Sequence, residues 1–232
     1  MNALILSAGL GSRINELTKE LHKALIPING KPMLEYTIDF LVQAQVEKIF
    51  VVVGYFHEQF SYLTTKYPQV ELVFNESFDT LNNAYSFYKG LVEVKDTWVL
   101  EADLLLQKNV FLQRPMKSTY FLIKRDQVGI EWVPVFEQDL VVDFKIEKTT
   151  KPSHGGISFW KKEAFKKIKD ETEWLVKHQF EFFEESKNYW DHIPMRLLAD
   201  LEVQAKILDK GSCYEIDSYQ DYLYVKEVMS SE

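Results

Sequence analysis

Residues 6–13 read Leu-Ser-Ala-Gly-Leu-Gly-Ser-Arg, small residues and two glycines ending in an arginine. Such a run lets the backbone approach a ligand closely and turn several N–H groups toward it. It follows the apolar residues 3–6, so it reads as a phosphate nest at the carboxyl end of a buried strand. Arg13 adds a planar, forked cation suited to phosphate oxygens. A dinucleotide fingerprint is excluded, because Ile14 stands where its third glycine belongs. A Walker A loop is excluded, because the run ends Gly-Ser-Arg rather than Gly-Lys-Ser/Thr. Taken alone, the loop also fits a plain strand-to-helix turn. Two carboxylates join the candidates. Asp103 ends a second apolar run, and Asp217 follows residues 214–216. A carboxylate at the end of a buried strand is costly unless it is paired or bound to a metal. Asp217-Ser218 also reads as a helix N-cap signal, and the two roles are compatible.

These residues need a scaffold, and the hydropathy pattern supplies one. Apolar runs at 3–6, 48–53, 69–74 and 97–100 read as strands. Helical patterns lie between them, from Pro32 with Leu34, Ile38, Leu41 and Val42 on one face, over 57–66, and over 82–94. The runs are continuous rather than alternating, which marks strands covered on both faces. The expected fold is α/β: a Rossmann-like three-layer sandwich with a mostly parallel, mixed central sheet and a small substrate-facing β-rich subregion. That subregion comes from strand patterns at 119–124, 132–136, 140–146 and, after Gly155-Gly156, 157–160. Helices are expected over 161–183, 191–201 and 218–229, with strands at 203–207 and 214–216. No repeat or linker breaks the chain. A single domain over 1–232 is expected, with a nucleotide-binding half (1–105) and an acceptor-binding half (106–232).

Composition narrows the function. A hydrophobic fraction of 46% supports a real core. The formal net charge of −8, with no basic block, argues against a nucleic-acid partner. It favours a cationic small substrate only weakly, because salt screens it. The single cysteine, Cys213, rules out a disulfide within the chain and a Cys-based zinc site. His22, His57, His154, His178 and His192 show no metal-ligand spacing, and none reads as catalytic. The N-terminus lacks signal-peptide features, and no apolar run approaches the ~20 residues of a membrane span. A cytoplasmic protein without membrane insertion is expected.

Beyond the loop, Lys23 precedes Ala24-Leu25-Ile26-Pro27, and Gly30-Lys31-Pro32-Met33 follows. Gly-x-Gly-x-Arg, then Thr18, then this lysine, resembles the signature of the nucleotide-diphospho-sugar-type nucleotidyltransferases. His22 departs from it, since familiar sugar-nucleotide members carry Pro there. The remaining pieces resemble the bacterial LicC-type CTP:phosphocholine cytidylyltransferases. They are Val53-Gly54-Tyr55, Glu76 with Asn82-Asn83-x-Tyr85-Ser86, Glu101-Ala102-Asp103, Glu131-Trp132, Tyr189-Trp190-Asp191 and Tyr214-Glu215-Ile216-Asp217. The resemblance implies transfer of CMP from CTP to phosphocholine, with phosphoethanolamine, 2-aminoethylphosphonate or a sugar 1-phosphate as other acceptors. It implies nucleotide contacts from Leu6, Ser7, Ala8, Gly9, Gly11, Ser12, Arg13, Lys23, Gly54, Tyr55, Asn82, Ser86, Ala102 and Asp103. It also implies Lys23 and Arg13 as the catalytic cations, and Asp103 with Asp217 as the holders of Mg²⁺. Asn82 reads the base or, as a plain sequence reading, caps a helix. Choline has no N–H to donate, so aromatic faces and carboxylates must hold it. Glu131, Trp132, Tyr189, Trp190 and Asp191 fit that need, although buried core aromatics are the alternative for the rings. A nucleotide-sensing domain without catalysis is the non-enzymatic alternative.

Overall fold

The computed structural model describes residues 1–11, 14, 17–91 and 93–230. β1 (Asn2–Ser7) is buried along its whole length. The short β2 (Pro27–Ile28) and β3 (Lys31–Pro32) form a hairpin whose turn residues Asn29 and Gly30 both take positive φ, 48° and 79°, as a tight hairpin requires. α1 (Met33–Gln43) starts after Pro32 and buries Met33, Leu34, Ile38 and Leu41. β4 (Lys48–Val53) follows. The helix expected over 57–66 is instead a 3₁₀ turn, His57–Phe60, and a short α2 (Tyr62–Lys66), entered through Phe56 at φ 51°. β5 (Val70–Phe74) is followed by α3 (Asn83–Lys89). α3 stops well before residue 94, with Gly90 as its C-cap; glycine is needed there because a Cβ would lie 2.4 Å from Leu4 Cδ1.

The second half runs β6 (Thr97–Glu101), β7 (Leu104–Leu106), β8 (Thr119–Ile123), β9 (Gly129–Glu137), β10 (Leu140–Thr149) and β11 (Ser153–Trp160). Gly155 and Gly156 lie within β11, where the register shifts between His154 and Ile157 and Gly156 takes φ 65°. α4 (Lys162–His178) and α5 (Glu181–Glu184) replace the single helix expected over 161–183, and α6 (His192–Met195) and α7 (Leu198–Leu201) replace that over 191–201. β12 (Gln204–Ile207), β13 (Cys213–Glu215) and α8 (Tyr219–Ser230) complete the chain.

Seven strands form one sheet in the order β12-β8-β11-β6-β1-β4-β5. Only β11 runs against its neighbours. Alternate side chains of β1 and β6 feed two cores. Ala3, Ile5, Trp98 and Leu100 face one, while Leu4, Leu6 and Val99 face the other. The chain passes from β1 outward through β4 and β5, then returns to β6 on the other side of β1. That reversal opens a crevice at the carboxyl ends of β1 and β6, the place where open α/β sheets bind ligands. Ser7 and the loop lie at one lip, and Glu101-Ala102-Asp103 at the other; Ala102 N–H donates to the Leu6 carbonyl at 3.2 Å. β9 and β10 form a separate two-stranded ribbon, the small β-rich subregion. Among the described residues, no helix is long and apolar enough to cross a membrane.

Candidate active site

The loop after β1 lines a cavity of about 460 Å³ with Leu6, Ser7, Ala8, Gly9 and Gly11. Lys23, Ser86, Ala102 and Asp103 close round it. Gly11 takes φ 62°, and a Cβ there would lie 3.1 Å from the Lys23 Cβ. Glycine therefore gives the turn and also clears room for the lysine stem. Ser12 and Arg13 lie outside the described residues.

Three expected nucleotide contacts sit elsewhere. Gly54 packs behind the loop: a Cβ there would fall 2.4 Å from Phe78 Cβ and 2.8 Å from the Ala8 carbonyl oxygen. Tyr55 donates its backbone N–H to that same carbonyl at 3.2 Å. Both residues buttress the loop rather than line the cavity. Asn82 is a helix cap. Its side-chain oxygen accepts from Ala84 N–H at 3.0 Å, and its amide donates to the Phe182 and Glu185 carbonyls at 2.8 and 2.9 Å. Its amide hydrogens are thus committed to the backbone, and Asn82 does not line the cavity. Asn83 faces the cavity instead; its amide donates to Glu101 Oε1 at 3.2 Å and its oxygen accepts Trp190 N–H at 2.9 Å.

At the floor, Lys23 Nζ donates to Asp103 Oδ2 at 3.1 Å and to Asp217 Oδ1 at 2.8 Å. Burial opposes the lysine's charge, but the two carboxylates outweigh it and hold its pKa above the ordinary value. α8 leaves Asp217 available for this. Its cap is reciprocal between Ser218 and Asp221: Ser218 Oγ accepts from Asp221 N–H at 3.1 Å, and Asp221 Oδ2 accepts from Ser218 N–H at 2.7 Å. Glu215 completes an acidic triplet with Asp103 and Asp217, one oxygen of each lying within 4.8 Å of the others. Burial, then the charge of Asp103, pushes the Glu215 carboxyl up; burial, then Asp103 and Asp191, does the same to Glu101. Oxygens this close repel, and a cation among them relieves the repulsion. The cluster could hold a divalent metal.

His22 fixes the lysine's turn. Its Nδ1 accepts Ala24 N–H at 3.1 Å, so Nε2 carries the proton and donates to the Gly9 carbonyl at 3.1 Å. One ring thus ties the phosphate loop to the Lys23 turn. Burial first, opposed by the Gly9 hydrogen bond, lowers its pKa from 6.5 to about 4. The unfolded chain binds more protons between these values. The neutral ring's contribution is therefore complete above pH ~6.5 and is lost as pH falls toward ~4. Urea unfolding at pH 7 and pH 4.5 should show the parent losing about 2–3 kcal/mol more than His22→Asn. A pH-independent difference between the two would contradict this.

A second cavity, about 440 Å³, shares Asn83, Glu101, Asp103 and Tyr189 with the first. Glu131, Trp132 and Asp191 line it, together with Glu215 and Asp217. Trp132 and Tyr189 meet edge to face, with ring centroids 6.0 Å apart. Arg125 braces one wall: Nη1 donates to Glu215 at 2.7 Å, and Nε lies 3.0 Å from Glu131 and donates to Ser153 Oγ at 2.7 Å. Trp190 is not part of this wall. It is a fully buried core residue that stacks on Phe87 at 5.0 Å and anchors Asn83 through its own backbone N–H. Trp190→Ala is therefore expected to act on folding, costing about 3–5 kcal/mol and lowering Tm by roughly 10 °C. A thermal melt checks this; an unchanged Tm would return Trp190 to the candidate site.

A profile for the MobA-like NTP transferase domain matches residues 3–114. The choline-phosphate cytidylyltransferase of Haemophilus influenzae is 37% identical over 99% of this chain and 98% of its own. The solved CTP:phosphocholine cytidylyltransferase LicC of Streptococcus pneumoniae superposes with a TM-score of 0.91, at 37% identity and 98% coverage of each chain. The chain belongs to the choline-phosphate cytidylyltransferase family. A 2-aminoethylphosphonate cytidylyltransferase of Lancefieldella rimae is also similar, 34% identical over 94% of this chain and 88% of its own.

In this cytidylyltransferase fold, sequence reasoning missed Asn83, Glu101, Arg125 and, as a site residue, Glu215. Asn83 and Glu215 stood inside the quoted motifs, one position from Asn82 and two from Asp217. Arg125 went unread because its partners are brought together from three strands, Glu131 on β9, Ser153 on β11 and Glu215 on β13.

Proposed function

We propose that this nucleotidyltransferase moves CMP from CTP to phosphocholine, giving CDP-choline and pyrophosphate. One observation carries the reading. A glycine-loop cavity and an acidic, aromatic cavity share a wall at Glu101 and Asp103, beside Lys23. Two substrates bound on either side would meet there.

The loop backbone cradles the triphosphate, and Asn83 faces the base. Trp132 and Tyr189 offer ring faces to the quaternary ammonium, while Asp191 and Glu131 offer charge. The phosphate of the acceptor attacks the α-phosphorus in line, and pyrophosphate leaves. Two anions meet in this step, so charge neutralisation and alignment are the protein's main contributions. Lys23 supplies a fixed cation between the attacking phosphate and the α-phosphate. Arg13 would hold the β- and γ-phosphates. The three hard carboxylate donors fit Mg²⁺, with Asp103 and Asp217 as ligands and Glu215 beside them. When bound, it neutralises charge on the reacting phosphates.

The aromatic reading has a direct test. Trp132→Ala is expected to raise the KM for phosphocholine about tenfold or more, with the KM for CTP within about twofold. Equal effects on both would remove Trp132 from the acceptor pocket.

A further inference from the structure

The inner end of the acceptor cavity holds buried polar groups that nothing above uses. His154 Nε2 lies 3.2 Å from Asp191 Oδ1, and both side chains are only 8% exposed. The contact is close, yet neither atom completes a hydrogen bond, and His154 Nδ1 and the Tyr120 hydroxyl likewise stand without partners. The His154 ring is gripped edge to face by Tyr120, centroids 5.0 Å apart, with Phe144 at 6.2 Å. Its backbone is fixed as well, since Arg125 Nη2 donates to the His154 carbonyl at 3.0 Å. The register shift in β11 begins at His154, just where the ring must turn toward the cavity.

A buried carboxylate is costly without a donor. Asp191 also lies near Glu101, and the two carboxyls repel when both are ionised. The His154 ring, 3.2 Å from Oδ1, limits the rotation of that carboxyl group, and a small turn of the ring would complete an N–H donor to it. The second oxygen is then committed to the cavity, where a cationic end group would lie. This is how an outer histidine orients an inner carboxylate, the reverse of the familiar carboxylate that orients a metal-bound histidine.

We propose that His154 is a positioning residue: it holds the Asp191 carboxylate aimed at the cationic end of the acceptor. The proposal rests on Asp191 facing that end, as in the function given above. It assigns His154 no contact with the acceptor and no proton transfer.

The test compares four variants of the full chain by pyrophosphate release, with KM measured separately for phosphocholine and CTP. The variants are His154→Phe, His154→Gln, Asp191→Asn and the double variant His154→Phe/Asp191→Asn. Phenylalanine keeps a ring between Tyr120 and Phe144 but has no N–H; glutamine restores an N–H. Expected are a roughly tenfold rise in the phosphocholine KM for His154→Phe, a CTP KM within about twofold, and recovery of most of the loss in His154→Gln. The double variant should match Asp191→Asn alone, because the histidine acts only through the aspartate. Additive losses, equal changes in both KM values, or a glutamine variant as poor as Asp191→Asn would overturn the proposal. The glutamine arm decides the matter even where the phenylalanine variant does not fold. An Asp191→Asn variant with an unchanged phosphocholine KM would instead overturn the underlying reading of Asp191.

Discussion

Lys23→Ala is expected to lower kcat/KM by about a thousandfold or more, equivalent to about 4 kcal/mol of transition-state stabilisation. The lysine is nearly buried, and its ammonium is fixed by Asp103 and Asp217 before any substrate arrives. A cation held in place at low solvent exposure needs no reorganisation when negative charge develops beside it. That is why its removal costs far more than loss of a surface charge. A second consequence follows from the same geometry. Without the ammonium, Asp103 and Asp217 lose their shared counter-charge. The metal-free variant should therefore be less stable than the parent near neutral pH, by less than the ~3–5 kcal/mol of a fully buried pair. Added Mg²⁺ should restore much of that difference. Steady-state kinetics and thermal melts with and without Mg²⁺ check both parts. A Lys23→Ala enzyme retaining a tenth of the parental activity would remove Lys23 from the catalytic role.

Asp103→Asn should cost at least about a hundredfold in kcat and raise the Mg²⁺ concentration needed for half-maximal activity. Asparagine keeps the shape and loses the charge, so the change isolates electrostatics from packing. Its effect on stability should be small, because two effects oppose each other. Asp103 helps push the Glu101 and Glu215 carboxyls upward, which is the mark of repulsion in the folded state. Neutralising Asp103 relieves that repulsion but removes one of the two carboxylates that hold Lys23, so the metal-free Tm should change little while the Tm gain on adding Mg²⁺ shrinks. A large fall in the metal-free Tm would mean that Asp103 serves the fold rather than the chemistry.

The parts of this site that could be read from sequence are those that local pattern encodes. The apolar run before Ser7, the glycines at 9 and 11, and the strand ending at Glu101 each announce themselves within a few residues. Lys23 meets Asp103 across 80 positions and Asp217 across 194. No local rule joins them; only the order of motifs did so. The misreadings share one cause, which is that side-chain direction is set by tertiary contacts. Asn82 and Asn83 are chemically identical, and α3 spends the first on its cap and turns the second to the cavity. Trp132 and Trp190 are both tryptophans beside a carboxylate, yet Phe87 takes Trp190 into the core while the β9–β10 ribbon presents Trp132. α3 ends at Gly90, where the chain meets Leu4 and Val52, a contact between segments that the helical pattern of 82–94 does not contain.

Occupancy of the two cavities by CTP and a phosphorylated quaternary amine is read out by incubating the purified protein with CTP and Mg²⁺ and one acceptor at a time, following pyrophosphate release. The acceptors are phosphocholine, phosphoethanolamine, 2-aminoethylphosphonate and glucose 1-phosphate, with UTP, dTTP and ATP replacing CTP in parallel. CTP with phosphocholine is expected to give the highest kcat/KM, by about tenfold or more over the primary amines. No turnover with phosphocholine, alongside clear turnover with the sugar phosphate, would contradict it.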